Sequence, residues 1–138
     1  MDKLFNQINN IRHGFTGTPL SHSDLDSYQE ELIECGFGKL PDEVIEFLEK
    51  HNGFLLENRC VWGINPKEHY RYDILGENAI AQNPKPEEIL LLGATETTFI
   101  AWLKQTQNYA IIDRCDFEAI YEFDNFSDAV RYILKIDD

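Results

Sequence analysis

The chain has 138 residues, the size of one domain, and its 43% hydrophobic and 27% charged residues are the balance of a chain that folds around a core. Its 25 Asp and Glu against 12 Lys and Arg give a formal net charge of -13, a surface that repels phosphate backbones and anionic lipid and would steer a basic protein towards it. Nucleic acid and membrane are therefore excluded as expected partners.

Near the N-terminus Leu4, Ile8 and Ile11 recur at helical spacing before Gly14 and the Gly17-Thr18-Pro19 turn, which predicts a short amphipathic helix. Asp2, Asn6, Gln7 and Asn9 interrupt that pattern, so this stretch is not expected to serve as the uninterrupted hydrophobic region of a signal peptide. A second helix is predicted from Ser23 and Asp26 as a capping pair, with Leu25, Tyr28 and Leu32 as its stripe and Gly36 at its C-terminal end. The third is the best specified. Pro41 suits a first helical position, Asp42 and Glu43 complement the positive end of the dipole, and Leu40, Val44, Phe47, Leu48 and His51 share one face before Asn52-Gly53 closes it.

From Phe54 the period becomes extended, with residues 54–56 and 59–64 reading as a strand pair about the Glu57-Asn58 turn. Residues 65–86 carry no clear period, although Ile74, Leu75, Ala79 and Ile80 fit a short helix. The run Ile89-Leu90-Leu91-Leu92-Gly93-Ala94 predicts a mid-sheet strand buried on both faces. Residues 98–103, 109–113 and 117–123 follow as strands too closely spaced for parallel crossovers. Asn125 can cap a final helix whose stripe is Phe126, Ala129, Val130 and Ile133. The whole, 1–138, reads as a single α+β domain: one mostly antiparallel sheet flanked by N-terminal helices and a C-terminal helix. Cys35, Cys60 and Cys115 form neither a disulfide framework nor a metal or redox motif, and no apolar run reaches the length of a membrane span, so a cytoplasmic location is expected.

The segment Leu40-Pro41-Asp42-Glu43-Val44-Ile45-Glu46-Phe47-Leu48-Glu49-Lys50-His51-Asn52-Gly53 resembles the opening signature of the SUKH superfamily, the Smi-Knr cell-wall regulator-like family. The resemblance continues through Val61-Trp62-Gly63-Ile64, the strand ending at Leu92-Gly93 and the closing Phe126-Ser127-Asp128-Ala129-Val130-Arg131-Tyr132-Ile133-Leu134 helix, covering residues 40–134. It implies a mixed helix and sheet fold without a catalytic centre. Bacterial members commonly act as immunity proteins that neutralise toxins, often nucleases, and fungal members regulate cell-wall synthesis through partners.

The residues themselves offer chemistry that must be weighed against simpler roles. His51 could serve as a base beside Glu57, but its place on the apolar stripe favours a packed, hydrogen-bonded side chain. His13, His22 and His69 lack paired ligand spacing. Asp113-Arg114-Cys115-Asp116 reads as a solvated turn, Gly36-Phe37-Gly38 lacks the pattern of a nucleotide loop, and Glu96, Asp113 and Glu122 more readily face solvent than pair as glycosidase carboxylates. A strand tryptophan is core packing or an exposed anchor; core is the commoner outcome for Trp62 and Trp102, but either one exposed beside Glu57 or Glu96 would mark a partner surface. The expectation is a non-enzymatic, cofactor-free and metal-free immunity protein binding a basic toxin domain, with Glu57, Trp62, Glu96 and Trp102 as candidate contacts. A Smi-Knr-type regulator binding a peptide or small ligand is the alternative, and a divergent enzyme stands behind both.

Overall fold

The computed structural model describes residues 1–12, 14–64, 73–80 and 83–136. His13 and His69, whose spacing argued against a metal site, lie outside them, as does part of the 65–86 segment.

Helix α1 is Asp2–Asn9, with Leu4, Phe5 and Ile8 buried, and Phe15–Thr16 is the short strand β1. Helix α2, His22–Glu34, is capped by Ser21, whose hydroxyl accepts from the Asp24 N–H at 3.2 Å. The expected cap was Ser23 with Asp26; the same Ser-x-x-Asp spacing begins two residues earlier, and the Ser23 hydroxyl meets that of Ser21 instead. Gly36 ends α2 as expected. At φ +88° it lets the Phe37 N–H reach the Leu32 carbonyl and its own N–H reach that of Ile33. Helix α3, Asp42–Lys50, starts one residue later than the sequence suggests, because Pro41 has ψ 151° and is the cap rather than the first helical residue. Its ring-fixed φ suits either place.

Strands β2 (Phe54–Leu56) and β3 (Arg59–Val61) form a hairpin, α4 is Ile74–Ile80, and β4 to β7 are Ile89–Ala94, Thr98–Leu103, Asn108–Asp113 and Ala119–Phe123. Helix α5, Phe126–Leu134, is capped by the Asn125 side chain, which accepts from the Asp128 N–H at 2.9 Å. Strand β7 begins two residues later than its apolar run, because Phe117 takes φ 61° inside the preceding turn. The strands pair in chain order, each antiparallel to the next, giving a seven-stranded sheet with β4 in the middle. The chain is thus α+β, with helices before the sheet and one after it.

Both faces of the sheet are covered at its middle, while β7 is largely exposed. On one, Phe47 of α3 packs between Phe5 of α1 and Phe126 of α5 at ring separations of 5.9 and 5.6 Å, and Tyr109 of β6 joins at 5.5 Å. Glu43 of α3 accepts from the Phe126 N–H at 3.1 Å, fastening α3 to the start of α5. Strand alternation puts Phe99 of β5 on the face opposite Trp102 and Tyr109, where it meets Trp62 at 5.9 Å. Every residue of β4 is buried, as its continuous apolar run predicts.

Beyond Trp62, whose N–H donates to the Leu92 carbonyl at 2.9 Å, the chain leaves the β4 ladder, since Gly63 bridges Asp73 rather than continuing along β4. Leu91 would then lose a backbone partner on that side. Asn78 of α4 supplies one: its amide donates to the Leu91 carbonyl and its oxygen accepts from the Leu91 N–H, both at 2.8 Å. Asn83 continues the seam by donating to the Ile89 carbonyl at 3.0 Å. Among the described residues, no helix is long and apolar enough to cross a membrane.

Candidate partner-binding face

Because β2 to β5 are consecutive neighbours, the β2–β3 and β4–β5 turns stand side by side at one end of the sheet. Glu57 takes φ 56° in the first turn, and the Asn58 amide crosses to the Glu96 carboxylate in the second at 2.5 Å. Thr95 closes that second turn by accepting from the Thr97 and Thr98 N–H groups. The sequence-selected Glu57 and Glu96 are therefore exposed on one ridge.

On one side of the ridge lies a groove of about 470 Å³ between the turns and the end of α5, lined by Glu57, Arg59, Glu96, Thr97, Tyr132 and Lys135 among others. On the other lies a pocket of about 240 Å³ whose walls include Cys60, Trp62, Glu77 and Arg114. Burial raises the Glu77 carboxyl above its usual pKa, against the lowering pull of Arg114. The Arg114 guanidinium sits 4.7 Å over the Phe99 ring and donates to the Thr95 carbonyl at 2.8 Å. Burial also raises the Cys60 thiol, the opposite of what an activated nucleophile needs.

Neither tryptophan is an exposed anchor. Trp62 is 3% exposed, and its buried indole N–H meets no hydrogen-bond acceptor among the described residues. Trp102 is half-buried against Tyr109 at 4.9 Å and stands apart from the ridge pockets that Glu57 and Glu96 line. His51 is packed as expected, edge-on to Phe5 at 5.3 Å, but its Nε2 has no hydrogen-bond partner among the described residues. Burial accordingly lowers its pKa. The Asp113 carboxylate accepts from the Cys115 and Asp116 N–H groups, so that segment is a turn with Cys115 exposed. Glu122 instead accepts from the Asn108 amide at 3.0 Å, so Glu96, Asp113 and Glu122 serve three separate contacts. No three His, Cys, Asp or Glu among the described residues stand together as a metal site.

The exposed aromatic surface lies where the sequence reading did not place it. Among the described residues the large exposed hydrophobics are Ile33, Ile120, Tyr121 and Tyr132, and the last three belong to β7 and α5. The Tyr121 and Tyr132 rings lie 5.0 Å apart at a tilt of 51°, with Phe123 against Tyr132 at 5.9 Å. Tyr132 also lines the 470 Å³ groove, so groove and aromatic patch are continuous. Their charges differ. The groove mixes Glu57 and Glu96 with Arg59 and Lys135, whereas residues 116–130 contain Asp116, Glu118, Glu122, Asp124 and Asp128 and no Lys or Arg. The available signal was this acid-only last strand: a terminal strand is a sheet edge, and its aromatics have fewer neighbours to cover them.

Comparison with protein-family models finds no match to the chain, and no curated protein matches it.

Proposed function

We propose that this chain is a non-enzymatic protein-binding domain, of the immunity-protein type implied by its SUKH-like motifs, that neutralises a basic toxin domain. The observation that carries the reading is the exposed Tyr121–Tyr132 pair beside residues 116–130, which bear five carboxylates and no basic residue, while Arg131 next to Tyr132 is paired with Asp128. Aromatics with little conformational entropy to lose are the usual anchors of protein interfaces, and surrounding carboxylates select a basic partner and speed its approach. A nuclease, which needs a positive groove for its own substrate, has that charge. The open groove beside Tyr132 supports the second reading, a Smi-Knr-type regulator that holds a peptide or small ligand there.

The test is the rate of association with the protein encoded beside this chain, which the reading expects to be basic, measured between about 50 and 500 mM salt, over which the screening length shortens severalfold. Association should slow markedly as salt rises while dissociation changes little, since the latter depends on the desolvated centre. A salt-independent association rate would remove charge as the basis of partner choice. Absence of any complex would remove the immunity reading.

A further inference from the structure

The sheet has two edges, and they differ. Strand β1 is two residues long, whereas β7 offers five, Ala119–Phe123, and pairs on one side only, with β6. Ala119, Ile120, Tyr121 and Glu122 are all exposed. The outer row of backbone N–H and C=O groups on β7 thus has no strand partner among the described residues. Such a row is a template for another strand, and proteins commonly blunt it with charge or a bulge. Both are present: Glu118 and Glu122 flank or lie in the strand, and the register slips between Ile111 and Ile112 opposite Ala119 and Tyr121.

These devices select rather than merely block. A second copy of this chain would bring Glu118 and Glu122 against their own kind, and like charges on facing strands are destabilising. A Lys- or Arg-bearing strand meets no such penalty, because the nearest basic residues in sequence, Arg114 and Arg131, lie outside the 116–130 segment. The exposed Tyr121 and Tyr132 rings add an apolar platform beside the edge for alternate side chains of the incoming strand. We propose that β7 receives an extended, basic segment of a partner protein as an eighth strand, its backbone paired to Ala119–Phe123 and its cationic side chains facing Glu118, Glu122 and Asp124. The inference rests on the protein-binding reading above and specifies how the contact is made.

The probe is a blocked heptapeptide alternating Lys and Val, compared with the same peptide N-methylated at every second residue and with its Glu-Val counterpart, using the full chain and amide hydrogen exchange. The Lys peptide should slow exchange in residues 119–123, N-methylation should weaken binding by about tenfold or more by deleting backbone donors, and the Glu peptide should not bind. The double variant Glu118→Lys, Glu122→Lys should reverse the preference between the Lys and Glu peptides. Equal binding of the N-methylated peptide, protection elsewhere in the chain, or peptide-independent protection of 119–123 that grows with protein concentration would each overturn the inference. A basic partner protein that binds while leaving 119–123 unprotected would defeat it and spare the protein-binding reading. Peptide addition at β7 with no basic protein partner at all would do the reverse.

Discussion

Asn52 reads in the sequence as half of an Asn-Gly helix stop, yet its side chain has a larger task. It is 2% exposed, and its carboxamide accepts from the Ile64 N–H at 2.7 Å and donates to the Ile64 carbonyl at 2.5 Å. One side chain thus stands in for a strand neighbour where the chain runs beyond β3. Gly63 is required by the same contact, because a Cβ there would lie 2.3 Å from the Asn52 oxygen. Asn52→Ala should leave two buried backbone groups unpaired and lower the unfolding free energy by about 2 to 3 kcal/mol, measured by urea denaturation. A loss under about half a kcal/mol would show that water or relaxation replaces the pair.

At the scale of elements, β4 organises the sheet from its middle, held by β3 and β5 and, where β3 ends, by Asn78 of α4. Leu91 is fully buried there, so Leu91→Ala should cost about 2 to 5 kcal/mol in chemical denaturation. A much smaller loss would contradict its central place. The strand was legible because burial on both faces writes a continuous apolar run, and α5 was legible because its cap and stripe are local. The Asn78 seam was not, since a helix side chain replacing a strand thirteen residues away leaves no period in sequence. The β7 boundary was hidden for another reason: Phe117 extends the apolar run into a turn at φ 61°. Of the candidate contacts, Glu57 and Glu96 were found by sequence as exposed turn carboxylates, but hydrophobicity alone could not say which aromatics stay uncovered. Trp62 went to the core, while Tyr121 and Tyr132, on the edge strand and the helix beside it, stayed out.

For the whole molecule, the formal net charge of -13 matters through its distribution. The turn ridge carries Glu57 and Glu96 but shares its groove with Arg59 and Lys135, so its charge is mixed. Residues 116–130 carry acid alone beside the exposed Tyr121–Tyr132 pair, the combination expected to attract a basic protein and give it something to bury against. The central claim is that a basic partner docks on this side. Its most direct test is dissociation of the expected complex with the protein encoded beside this chain, comparing the unaltered chain with Tyr132→Ala and, as a remote control, with Ile33→Ala on the exposed side of α2. The account predicts that Tyr132→Ala speeds dissociation by about tenfold or more while Ile33→Ala leaves it unchanged. Equal dissociation from the unaltered chain and Tyr132→Ala, with Ile33→Ala the variant that lets go, would place the interface elsewhere and contradict it.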